Sequence, residues 1–167
     1  EEFDIESQNA IFSAIVSKPL IRARGKNLST YFGLTKKFAE TYILDELNSK
    51  DSITTTTFGG SFDFVDGLRG INLIDFKYVQ GLNFINPSEH SASNLSRTGG
   101  RSQFTKFAGS ISRLQHITSG FDLSMQTAWQ YSFHSLLAVE EFGVGGQNIG
   151  RGYDSFEISG DTGIASI

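Results

Sequence analysis

Apolar and polar residues alternate along 121–131. Phe121, Leu123, Met125, Trp129 and Tyr131 fall on one side of an extended chain, and Asp122, Ser124, Gln126 and Gln130 on the other. A period of two belongs to a β-strand, because successive side chains point to opposite faces. Residues 121–131 also have about the length a tilted strand needs to cross a lipid bilayer. The pattern returns at 28–38, where Leu28, Phe32, Leu34 and Phe38 oppose Ser29, Gly33, Thr35 and Lys37. It returns again at 71–84, with Ile74, Phe76, Tyr78, Leu82 and Phe84 against Asp75, Lys77, Gly81 and Asn83. Weaker strand candidates are 5–17, 53–65, 103–114 and 136–143, and 163–167 opens another. The expectation is about seven full strands and a stub.

The breaks between these segments are short. Arg24-Gly25-Lys26-Asn27 and Asp66-Gly67-Leu68-Arg69-Gly70 read as tight turns, Asp45 to Asp51 as a polar connection, and 86–102 as a longer polar loop. Parallel strands need crossovers of a dozen residues or more, so such links imply an antiparallel meander. Counted through a strand at 136–143, the short turns and the loop that follows fall on the same side of the sheet. A miscounted strand near 132–135 would separate them.

Alternation alone allows two geometries. In a soluble sandwich or barrel the apolar face looks inward; in a transmembrane barrel it looks outward to lipid and the polar face lines a wet lumen. Composition leans toward the second. The chain has 15 Phe, 18 Gly and only 19 % charged residues, and the polar face of 121–131 carries neither Lys nor Arg. Strand length and aromatic content point the same way. No apolar run is long enough for a transmembrane helix, and a net charge of −4 argues against a nucleic-acid binder. There is no cysteine. His90, His116 and His134 lie far apart and read as loop and turn residues, so no metal site is expected. Gly143-x-Gly145-Gly146 lacks the third glycine and following helix of a dinucleotide loop. Neither a cofactor, a small-molecule substrate nor catalysis is expected; Asp122, Glu140 and Glu141 read as lumen or interfacial carboxylates.

The stretch from Val139 to Ala165 is of another kind. Five glycines fall between 143 and 152, and Arg151 stands between Gly150 and Gly152 with Tyr153 following. This is a structured loop built to place one guanidinium, which can bind a carboxylate through two parallel hydrogen bonds. Its wording resembles the Glu-x-Phe-x-x-Gly-Gly, Arg-Gly-Tyr/Phe and Ser-Gly-Asp-x-Gly signatures of the ShlB/FhaC/HecB family, the outer-membrane transporters of two-partner secretion. The matches are Glu141-Phe142, Gly145-Gly146, Arg151-Gly152-Tyr153 and Ser159-Gly160-Asp161-Thr162-Gly163. The family usually has valine or isoleucine where this chain has Gly150, which points to a looser loop tip.

The resemblance implies an all-β fold: an antiparallel meander that is part of a sixteen-stranded transmembrane β-barrel. Residues 1–167 would be a partial barrel with a lumen-directed loop at about 143–162, without a periplasmic POTRA domain in this chain. The chain reads as an internal piece of a longer protein. The implied function is a translocation pore of the bacterial outer membrane, bathed in lipid, that secretes a large partner protein of the haemolysin type. The implied site is Gly150, Arg151, Gly152, Tyr153, Gly160, Asp161 and Gly163, approached through Glu141, Phe142, Gly145 and Gly146. In the family the loop arginine pairs with a wall carboxylate, on a strand that would lie beyond Ile167. One alternative is an assembly factor of the BamA/TamA type, which shares the Arg-Gly-Phe/Tyr loop but is less well matched by the flanking motifs. Another is a small eight-stranded surface barrel or a soluble β-domain.

Overall fold

The computed structural model describes residues 5–84, 87, 88, 94–146, 150, 154 and 157–167. Six long strands follow in sequence: β1 (Ile5–Ala23), β2 (Lys26–Ile43), β3 (Glu46–Val65), β4 (Ile71–Leu82), β5 (Thr105–Thr118) and β6 (Phe121–Ser132). After a single 3-10 turn at Ala138–Glu140 come three short ones, β7 (Phe142–Val144), β8 (Ile158–Gly160) and β9 (Gly163–Ser166). The main sheet runs β1-β2-β3-β4-β5-β6-β9, every neighbouring pair antiparallel, and β7 pairs with β8 apart from it. β1 and β9 are its two edges, so this sheet is not closed and the small eight-stranded barrel does not hold.

The registers sort the side chains into two faces. Phe58, Tyr78, Phe107 and Tyr131 share one row across β3 to β6, and Gly60, Phe76, Gly109 and Trp129 the next. This face carries the aromatic residues, with Phe76, Tyr78, Phe107, Trp129, Tyr131 and Phe133 linked by ring contacts of 5.0–6.0 Å. Nothing among the described residues covers it: Phe12, Val16, Phe32, Phe58 and Met125 are all more than half exposed. A soluble β-domain would have packed this face inward. On β2, Lys26 and Lys36 bracket Leu28, Phe32 and Leu34 on it. At about 3.3 Å per residue and the usual barrel tilt, that interval spans ~25 Å, the height of a lipid-facing band.

The other face is polar, and the chain folds back onto it. Its small apolar core is Ile53, Val79, Phe104, Leu136 and Leu137, with Leu95 and Val139 packed against it. These residues come from β3, β4 and the connections 83–104 and 133–141.

Three expectations need correction. First, 136–143 is no wall strand: it is the 3-10 turn and the start of β7, with Leu136, Leu137 and Glu140 buried against the inner face. Its alternating Leu137 and Val139 mimic a strand, although a non-wall segment serves the same core. The tight turns at Arg24-Gly25 and 66–70 and the long connection after β6 therefore lie at opposite ends of the sheet, because β6 is followed directly by that connection. Second, Asp45–Asp51 is not a loop. Leu44 and Asp45 have φ of 52° and 65°, two consecutive left-handed residues as a two-residue hairpin requires, and β3 begins at Glu46. Neither is glycine or asparagine, so the turn was hidden. Third, His116 lies within β5 and pairs with Asp122 at 2.6 Å; His134 follows β6, and His90 lies outside the described residues.

β3 runs past the end of β4, whose last partner is Thr54. The 46–53 extension would leave a bare edge, a site for unwanted pairing. The 83–104 connection covers it: Lys50 N donates to Asn94 O at 2.7 Å, Ser88 N to Ser52 O at 2.9 Å, and Ser96 bonds the buried Asp51 carboxylate through its N and Oγ.

Candidate functional site: a loop seated on the inner wall

The connection between β6 and β9 leaves and returns at the same level, since Gly163 is paired with Gln130. Between them it makes a two-limbed loop. The outgoing limb is β7 and the returning limb β8, with Phe142 opposite Gly160, Gly143 opposite Ser159 and Val144 opposite Ile158. Ser159 Oγ also donates to Glu141 Oε2 at 3.1 Å.

Two charge clusters hold this loop against the polar face. The first centres on Glu140, 4 % exposed in the 3-10 turn. Its carboxylate meets Lys37 Nζ of β2 at 2.7 Å and Lys106 Nζ of β5 at 2.8 Å. Lys106 also donates to the Glu140 backbone carbonyl at 2.7 Å, and Gln130 Nε2 of β6 donates to that carbonyl at 3.0 Å and to Asp161 O at 3.2 Å. Two strands separate β2 from β5, about 14 Å at ordinary strand spacing. Both ammoniums reach one carboxylate only because the sheet curls toward this face, as a barrel wall must. Burial pushes the Glu140 carboxyl up, while Lys106 and then Lys37 draw it down by more, so it stays below its ordinary value and remains ionised.

The second cluster is Arg97, from the 83–104 connection. Its Nη1 lies 2.5 Å from Asp161 Oδ1 on the returning limb and 2.8 Å from Glu141 Oε1 on the outgoing limb. Asp161 Oδ1 also accepts Leu136 N at 2.8 Å. One guanidinium thus bridges both limbs. Asp161 holds the Arg97 pKa above its usual value, against a smaller opposing effect of burial.

Of the residues singled out from the sequence, Glu141, Phe142, Gly160, Asp161 and Gly163 are brought together here. A Cβ on Gly163 would sit 2.4 Å from the Phe142 ring, so the close seat of the outgoing limb on β9 requires glycine. Gly145 and Gly146 have φ of 124° and 78°, and Gly150 has φ of 89° with room for a Cβ only 3.1 Å from Val144 Cγ1. A valine at 150 would be strained in that conformation. Arg151, Gly152 and Tyr153 lie outside the described residues.

Sequence reasoning missed Arg97, Lys106, Gln130 and the role of Glu140. It took Glu141 as the glutamate of the Glu-x-Phe signature, whereas Glu140 stands two before Phe142, as that spacing requires, and is the buried one. Lys37 and Lys106 were detectable in principle: a lysine on the inward face of a wall strand needs a carboxylate partner. Arg97 sits in a loop without periodicity and left no signal.

A curled antiparallel meander, apolar on its convex side and polar inside with a loop seated in the hollow, is a segment of β-barrel wall. The chain belongs to the haemolysin secretion/activation protein family ShlB/FhaC/HecB, whose sequence model matches residues 1–166. That is a family of outer-membrane secretion transporters and not of enzymes. Its fold is similar to that of CdiB from Escherichia coli, with a TM-score of 0.79 and 21 % identity, covering 97 % of this chain and 30 % of that one. No curated protein sequence matches the chain.

Proposed function

We propose that the protein to which this chain contributes is a pore of the bacterial outer membrane that secretes a large partner protein, and that the 133–162 loop governs its transport-competent state. Membership of the secretion family supports the first part. The observation that carries the second is the seating of both loop limbs on the polar wall through Glu140 and Arg97. On this reading the partner traverses a polar lumen, and Arg151 pairs with a wall carboxylate of the full-length barrel. No nucleotide or metal takes part; conduction uses the polar face itself.

The test is secreted partner per unit of membrane-inserted full-length transporter. Arg151→Ala inserts normally and secretes less, and Arg151→Lys recovers only part, because an ammonium keeps the charge but loses the planar fork. Equal secretion by wild type and Arg151→Ala contradicts the role given to the loop.

A further inference from the structure

Arg97 belongs neither to the wall nor to the loop it holds. It lies on the 83–104 connection, which covers the free edge of β3 through Lys50, Ser52 and Asp51. From there a single Nη1 reaches the Asp161 and Glu141 carboxylates, on the two limbs of the 133–162 loop. The contact is of a different kind from the Glu140 anchor. Glu140 and Lys106 are almost fully buried, so that anchor is fixed; Arg97 is 38 % exposed, and its partner Glu141 lines a groove. That groove, about 650 Å³, lies between the inner face of β1–β3 and the loop root, and Asp51, Ser96, Val139 and Glu141 line it. Ser96, next to Arg97, ties in as well, its Oγ accepting Ala138 N at 3.0 Å.

We propose that Arg97 is a latch that couples the 83–104 connection to the 133–162 loop, so that the loop leaves its seat only when the Arg97 ion pairs open. The proposal rests on the reading that the loop governs transport, and adds the residue that regulates it. A latch of this design is deliberately weak. A partly exposed guanidinium on two carboxylates is screened by salt, unlike a buried pair. Displacement of the 83–104 connection, at the end of the sheet where the long connections lie, would carry Arg97 with it and free both limbs at once. The Glu140 anchor would still hold the loop root to the wall.

The experiment uses the full-length transporter in planar lipid bilayers, with folding verified by heat-modifiable migration. Arg97→Gln raises the fraction of time spent in conducting states roughly two- to fivefold, the range set by an ion pair of this exposure. Arg97→Lys restores part of the closed time. Asp161→Asn, which keeps an acceptor for Leu136 N and leaves the Glu141 pair in place, opens the channel less, and the double variant opens no further than Arg97→Gln, since the Asp161 pair is already lost with Arg97. Raising salt increases the open fraction of wild type and leaves Arg97→Gln unchanged. An Arg97→Gln channel that gates like wild type, or additive effects in the double variant, overturns the latch; if Arg97→Gln does not fold, Asp161→Asn and the salt series decide it alone. Secretion by the same variants separates the two claims. Altered gating with unaltered secretion keeps the latch and refutes loop control, whereas unaltered gating beside an export-defective Arg151→Ala refutes the latch only.

Discussion

Phe107 and Lys106 are neighbours on β5 and live under opposite rules. Phe107 points outward into a row of aromatic rings with no protein layer over it among the described residues, while Lys106 points inward and is buried on Glu140. In a water-soluble sheet the phenylalanine would be the buried member. The outer face is stabilised by its surroundings and asks only that each side chain be apolar. The inner face is stabilised by particular partners where it is covered, and each buried charge there must be matched. One face therefore tolerates exchange among apolar residues, and the other is destabilised by the loss of a carboxylate that neutralises a buried lysine.

The sharpest way to break that contrast is at Glu140. Glu140→Ala leaves Lys106 buried and unpaired, a loss of about 3–5 kcal/mol by the usual cost of breaking a buried pair. Urea unfolding of the lipid-inserted full-length protein reads it, and Lys106→Met in the same background should return much of the loss. Acid acts in the same direction. With its folded pKa below the ordinary value, Glu140 contributes stability in full above the usual carboxylate range, and loses it as pH falls through its lowered folded value.

A smaller effect tests the outer face. Leu123→Lys puts a charge toward lipid and costs about 2–4 kcal/mol if read near the bilayer midplane, whereas Gln126→Lys, on the inward side, is expected to cost less than about 1 kcal/mol. Equal penalties for the two, in the same unfolding measurement, would erase the distinction between the faces.

The same contrast explains what could be read from the sequence. The wall was legible wherever the bilayer imposes its period: 28–38, 71–84 and 121–131 lie within β2, β4 and β6 or overrun them only slightly. β1 was cut short at 17 because the alternation slips at the register shift between Pro19 and Ile21, where proline is tolerated in a strand. The polar start of β3 read as a connection because, beyond the end of β4, the other loops rather than lipid cover it. The loop was recognisable from Gly160, Asp161, Gly163 and their neighbours, since motifs record backbone demands such as the contact of Gly163 with Phe142. The residues that seat it were not, because Lys37, Lys106 and Arg97 come from three distant parts of the chain that only folding brings together.

The central claim is that the apolar face meets lipid and the polar face lines a lumen. The natural chain has no cysteine within these residues, so single cysteines placed at each position of 121–131 in the full-length protein and spin-labelled report one site at a time. Collision rates with dissolved oxygen and with a water-soluble nickel complex then give the environment of each. The account predicts a period of two, with oxygen dominant at 123, 125 and 129 and the nickel complex dominant at 124 and 126. A flat profile, or one with the two faces exchanged, would contradict it.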